Sequence, residues 1–288
     1  MLLDVTHNFS PNSTITAKLD RLRDTAQELQ YSGVDPNTIL SGPVVAIVGT
    51  RKPTPYGKQM TEAIATELAR AGVTVISGLA FGVDIIAAKA TLSEHGTTVA
   101  VLPSGLDKIY PASHAKIAAH ITEQGSLLSE FPSGHSPRRH DFLHRNRLVA
   151  ALSDAVIIPE AAQQSGSLNT ARHAHEMGIP VYVVPGHVTS PLSEGTHQLV
   201  KDGKATIITS AQDVLQALNI DATTARTHTG NTPQETAIIQ AIQDGHHDSA
   251  LIQAEAGLNT SEFQVALTML EIDGKVIQDE LGKWHLHQ

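Results

Sequence analysis

Between residues 44 and 218 the chain alternates short apolar runs with amphipathic stretches, and this alternation confines it to a largely parallel sheet covered by helices. The apolar runs fall at 44–49, 73–77, 97–102, 126–130, 155–159, 180–184 and 205–209. Helical periodicity fills the intervals at 56–71, 83–94, 113–124, 142–152, 167–177, 195–202 and 210–218. Gly72, Gly96, Gly125 and Gly178 each follow a helical stretch, where a left-handed C-terminal cap is expected. The run Val44–Val48 has no polar alternation, as befits a strand buried on both faces. The expected class is α/β, a doubly wound and mostly parallel sheet.

The flanks differ in character. Residues 1–40 are polar and weakly periodic, with a candidate helix over 15–30, and read as an N-terminal helical appendage to a main domain at 41–218. Residues 219–232 are Thr-rich and aperiodic, as in a linker. Beyond it, helical patterns at 233–243, 249–256 and 260–272 precede two short strands around 279–282, the layout of a small winged helix at 233–288. That module carries nine Asp or Glu against two Lys, so most of the chain's net charge of −9 resides there. Its third helix has no Lys or Arg between Thr260 and Gly274, which disfavours phosphate contacts and favours a protein partner or the partner subunit.

Cysteine is absent, which excludes disulfides and thiolate metal sites and fits a reducing cytoplasm. No export signal is evident, and no apolar run is long enough for a membrane span. Sixteen histidines invite a metal reading, but the pairs His140/His144 and His285/His287 have no clear third ligand, so neither metal nor cofactor is expected.

Three strand-to-helix turns carry the candidate chemistry. In VAIVGTR (45–51), Gly49 permits a tight turn, Thr50 offers a hydroxyl and Arg51 a cationic fork. In SGLAFGVD (77–84), Ser77, Gly78 and Gly82 bring backbone amides toward the same edge, with Asp84 placed to cap the next helix. In SGSLNTA (165–171), Ser165, Gly166 and Ser167 surround a third helix start. Open sheets bind ligands outside the carboxyl ends of their strands, so three such turns point to an anion or phosphodiester site. FLHRNR (142–147) adds Arg145, Asn146 and Arg147 near a helix start, where cations need an anionic partner or an exposed orientation.

These blocks, with GLDKIYP (105–111), SEFP (129–132), PEAAQQSGSLNTA (159–171) and VPG (184–186), resemble in order those of the DNA-processing protein family DprA, also called Smf. The resemblance covers about residues 42–218, and the module after the linker is similar to the family's C-terminal winged helix. It implies an extended Rossmann domain that binds single-stranded DNA, works as a homodimer without catalysis, and assists RecA loading in natural transformation. By position it implies DNA contacts from Arg51, Ser77, Gly78, Phe81, Arg145, Asn146, Arg147, Ser165, Gly166 and Ser167. The chain departs from the family pattern at Phe81 (usually Arg), Lys89 (usually His), His197 (usually Asn) and Pro159 (usually apolar in a different way), and Phe81 offers a base a ring to stack on. Two other readings stay open. One is a nucleotide phosphoribohydrolase with Glu160 as its carboxylate; the other is a nucleotide sensor coupled to the acidic module.

Overall fold

The computed structural model describes residues 6–24, 28–220, 232–279 and 282–286. The chain divides into two units, Met1–Ala225 and Arg226–Gln288. The first holds strands β1 (His7–Asn8), β2 (Gln30–Gly33), β3 (Val44–Ile47), β4 (Thr74–Ser77), β5 (Thr98–Val101), β6 (Ser126–Ser129), β7 (Ala155–Ile158), β8 (Val181–Val183) and β9 (Thr206–Ile207). They form one sheet in the order β1-β2-β6-β5-β4-β3-β7-β8-β9, parallel from β6 to β9. The helices of this unit are α1 (Ser13–Leu19), α2 (Pro36–Ile39), α3 (Pro55–Arg70), α4 (Val83–Ser93), α5 (Ala115–Gln124), α6 (Arg139–Ala151), α7 (Ser167–Glu176), α8 (Glu194–Lys201) and α9 (Ala211–Ala217).

The order fixes where a ligand can sit. From β3 the chain builds outward through β4, β5 and β6, then returns to the other side of β3 and continues through β7, β8 and β9. Crossovers leaving β3 and β7 therefore diverge, and a crevice opens at their carboxyl ends. Strand β3 shows why the sheet needs two covers: Val45 and Ile47 belong to one core cluster, while Val44, Ala46 and Val48 belong to the other. Each of these Val and Ile side chains contributes about 1.5–3 kcal/mol on full burial. Helices α3 (Pro55–Arg70) and α4 (Val83–Ser93) cover the first face, through Ile64, Leu68 and Val83. Helices α6 (Arg139–Ala151) and α7 (Ser167–Glu176) cover the second, through Leu148, Val149, Ala171 and Ala174.

Two local expectations need correction. Residues 1–40 are not an appendage. The helix is short (α1, Ser13–Leu19), and β2 pairs antiparallel with β6, closing an otherwise open sheet edge. Phe9, Ile15, Leu22 and Leu29 join the sheet's own core, and Lys18 reaches Asp154 at 2.9 Å. The leucine spacing that suggested one helix over 15–30 instead serves a helix, a turn and a strand; residues 25–27 lie outside the described residues. Of the four supposed left-handed caps, Gly72 and Gly178 have φ of 71°, but next to Gly96 it is His95 that turns left-handed. Gly125 is extended (φ −158°) and is required for another reason: a Cβ there would meet the Thr98 carbonyl at 1.9 Å.

The second unit has helices α10 (Pro233–Gln243), α11 (Ser249–Glu255) and α12 (Thr260–Ile272), followed by an antiparallel hairpin of β10 (Val276–Gln278) and β11 (Trp284–Leu286). Ile238, Ile242, Ile252, Phe263, Leu267, Leu270 and Trp284 form its separate core. Most of the linker expected at 219–232 lies outside the described residues. No helix among the described residues is long and apolar enough to cross a membrane.

Candidate functional site

At the carboxyl ends of β3, β4 and β7 lies an open cleft of about 1070 Å³. Gly49, Thr50 and Arg51 line it from the first turn, Gly78 and Ala80 from the second, and Ser165, Gly166 and Ser167 from the third. Helix α6 contributes Arg139, Phe142, Leu143, Arg145 and Asn146; α7 contributes Asn169 and Arg172; Tyr110 closes one side. The three turns thus converge on one rim. Ser77, Phe81, Gly82 and Arg147 are not part of this lining.

Convergence does not make every candidate available to a ligand. The amides of Gly78 and Ala80 already donate to the buried carboxylate of Asp84, at 3.0 and 3.4 Å. Asp84 therefore organises its own loop, and the helix it was expected to cap starts at Val83, with Gly82 at the N-cap position and no side-chain cap. Burial pushes the Asp84 carboxyl up, opposed by the Arg145 charge and by those two amides. Gly82 (φ 79°) is needed because a Cβ would lie 2.2 Å from the Thr50 carbonyl. Ser77 is buried. The start of the second turn is thus committed to its own loop, while Phe81 further along it stays exposed.

The N-terminus of α3 is likewise occupied from within. Glu160, 3% exposed, accepts the Thr54 amide at 2.8 Å and the Thr54 hydroxyl at 2.5 Å, and that hydroxyl in turn accepts the Gly57 amide at 3.0 Å. An internal carboxylate thus sits where a phosphate would sit in a dinucleotide-binding fold. A Cβ on Gly57 would come within 2.2 Å of Glu160 Oε2, so the fit is close. With both oxygens engaged and buried, Glu160 is not placed to attack a glycosidic carbon.

Helix α6 begins at Arg139, three residues before the expected start, because Asp141 accepts the Arg138 amide at 2.7 Å and anchors the first turn. Arg145 and Arg147 consequently lie within the helix, and both are buried. Arg145 Nη1 donates to the carbonyls of Gly78 (2.7 Å) and Val101, locking the ends of β4 and β5 together beneath the cleft. Burial lowers its pKa to about 10, which still leaves it charged at neutral pH. Arg147 points elsewhere: its Nη2 lies 2.7 and 2.9 Å from the two Glu130 oxygens, in an ion pair with both side chains under 8% exposed. It makes no wall of the cleft and is withdrawn as a DNA contact.

The exposed cations of the cleft lining are Arg51, Arg139 and Arg172. Among the described residues none of the three forms an ion pair. Arg51 instead lies over the Phe142 ring, 5.4 Å from its centroid, and Tyr110 meets the same ring edge-on at 5.4 Å. The third turn is the most open: Gly166 has free space at its Cβ position, and although Ser167 is buried, the Ser165 and Ser167 hydroxyls lie 2.8 Å apart, with the Ser167 amide donating to Ser165 Oγ at 3.4 Å. Asn146 ties this turn to α6 by donating to the Gly166 carbonyl at 3.3 Å. Neither Arg139 nor Arg172 is among the residues expected from sequence to contact DNA. The usable signal is helical spacing: Arg139 stands one turn before Phe142, and Arg172 one turn after Asn169.

A family model described as DNA recombination-mediator protein A matches residues 9–219. The putative DNA processing protein DprA of Mycobacterium tuberculosis is 36% identical over 253 residues, 84% of this chain and 64% of that protein. Protein Smf of Escherichia coli is 44% identical over 175 residues, 60% of this chain and 46% of that protein. The chain thus spans less than two thirds of these relatives' length. Among solved structures, DNA processing protein A from Helicobacter pylori, described for its single-stranded DNA binding mode, superposes with a TM-score of 0.68. It is 39% identical, covering 77% of this chain and 99% of that one. The Streptococcus pneumoniae DprA structure gives a TM-score of 0.66 at 37% identity, covering 69% of each.

Proposed function

The chain belongs to the DNA recombination-mediator protein A family, and from that premise we propose that its cleft binds single-stranded DNA so that incoming strands are protected and RecA loading is assisted during natural transformation. The observation that carries this reading is the trio Arg51, Arg139 and Arg172, exposed, without an ion pair among the described residues, and lining one cleft with the Phe142–Tyr110 ring pair. Guanidinium groups collect phosphates, and aromatic faces collect unpaired bases whatever their identity. Thr50, Asn146 and the Ser165–Ser167 turn supply hydroxyl and amide donors between them. No step in this scheme requires bond breaking.

Fluorescence anisotropy with oligo-dT across a salt series tests it. Each Arg→Ala substitution at 51, 139 or 172 lowers the slope of log affinity against log salt by about 0.7, the value for one single-strand phosphate contact. Affinity independent of salt, or release of adenine from AMP, refutes the reading in favour of a nucleotide enzyme.

Two partner assignments extend the proposal. The open sheet edge at β9, where Ile207 is 50% exposed, would pair with a second copy to form the homodimer. The winged helix would bind protein rather than DNA. On α12, Val265, Met269 and Ile272 share the face opposite the buried Phe263 and Leu270 and stand exposed, where a DNA-reading helix presents cations.

A further inference from the structure

Arg51 also lines a second concavity, of about 610 Å³, and among the described residues it alone is common to both. This smaller hollow lies between the starts of α3 and α4. Lys52 and Lys58 provide cations on one side, and Phe81, Ile85 and Ile86 provide an apolar surface on the other. Both lysines are exposed, and neither forms an ion pair among the described residues.

Phe81 is 47% exposed, an unusual setting for one of only five phenylalanines in the chain. Its ring is braced, not loose: it packs edge-to-face on His114 at 4.8 Å, and His114 Nδ1 is held 2.9 Å from the Leu79 carbonyl. A braced aromatic beside apolar side chains, facing two unpaired ammonium groups, matches a nucleotide: a flat ring to stack, with phosphate on one side.

We propose that this hollow seats a further nucleotide of the same single strand, which passes over Arg51 from the main cleft, lays a base on Phe81 and sets its phosphates against Lys52 and Lys58. The proposal rests on the cleft being the primary single-strand site. It assigns to Arg51 a bridging position, in contact with the strand where it leaves one seat for the other.

Oligonucleotide length separates the two claims. Anisotropy with the full chain would compare oligo-dT of about four nucleotides, enough for one seat, with oligo-dT of about twelve, enough for both. The expected result is that Phe81→Ala weakens the longer oligomer roughly thirtyfold, the midrange for loss of one base stack, and leaves the shorter one unchanged. Phe81→Trp restores the longer oligomer's affinity. The Lys52→Ala, Lys58→Ala double variant lowers the salt slope for the longer oligomer by about 1.4, from two phosphates. A halogenated-uracil oligomer cross-links under ultraviolet light to the peptide carrying Phe81. All four positions replaced are exposed or at a rim, and unchanged melting temperatures confirm intact folds. If Phe81→Ala and the lysine variant hold the longer oligomer as well as the parent while Arg51→Ala still loses affinity, the second seat is refuted and the cleft stands. If the parent holds neither length, both fall.

Discussion

Replacing Arg147 with Ala separates folding from binding on α6. Its guanidinium and the Glu130 carboxylate are 7% and 3% exposed, joined through Nη2 at 2.7 and 2.9 Å. Removing one partner of a buried ion pair costs about 3–5 kcal/mol, because the remaining charge stays in a poor solvent. Two corrections act on that figure. Arg147 Nε and Nη1 are buried without a hydrogen-bond partner among the described residues, so deleting them relieves an existing penalty of about 1 kcal/mol or more. His144 Nε2, 3.7 Å from Glu130 and 3.0 Å from Arg147 Nη2, stays beside the carboxylate as a polar neighbour. The expected net loss is about 2–4 kcal/mol, a large share of the roughly 5–15 kcal/mol of a typical domain.

Urea unfolding followed by far-ultraviolet circular dichroism is the assay. Tryptophan fluorescence would report the wrong unit, since the single Trp, Trp284, lies in the core of the second. With an m-value of about 2 kcal/mol per molar, the midpoint of the first unit falls by about 1–2 M. The paired change Arg147→Met with Glu130→Leu recovers most of the loss, because apolar side chains replace a buried pair at little cost. Under folding conditions Arg147→Ala keeps the parent's salt slope for oligo-dT, whereas Arg51→Ala lowers it by about 0.7 with no change in midpoint. An Arg147→Ala protein with an unchanged midpoint and a reduced slope would refute the reasoning and put the guanidinium on the strand.

Gly78→Ala places a Cβ 2.3 Å from Arg145 Nη2, whose anchoring carbonyls leave it nowhere to retreat; a loss of about 1–3 kcal/mol is expected in thermal melts. Burial alone would raise the Asp141 carboxyl, but the Arg138 amide and His135 outweigh it and hold it below the usual range. Its contribution is therefore present above about pH 4 and disappears as pH falls through the lowered folded value. Asp141→Asn accordingly narrows the stability gap between neutral and acid solution, measured as urea midpoints across a pH series. Ending the chain after Ala225 leaves oligo-dT affinity intact if the acidic module binds protein; a collapse of affinity would return that module to the DNA.

Much of the scaffold was visible locally. Each apolar run from Val44 to Ile208 is long enough for a strand and too short for a core helix, so the alternation alone separated this class from bundles and sandwiches. The rim was visible for the same reason: in such a sheet every strand-to-helix turn reaches one edge, which is where Thr50, Gly78 and Gly166 meet. The N-terminal segment was misread because a Leu spacing compatible with one helix face also suits a broken path, and only pairing with Leu127 and Leu128 decides between them.

What local pattern determined, then, is the alternation of strand and helix, the edge where ligands gather and the acidity of the terminal module. What tertiary contact alone decided is which groups on that edge remain free. Arg147 meets Glu130 across 17 positions, Arg145 meets Gly78 across 67, and Thr54 meets Glu160 across 106. A charge is neutralised, or an amide satisfied, by whatever the fold brings within about 3 Å of it, and separations of that size leave no periodic trace in the chain.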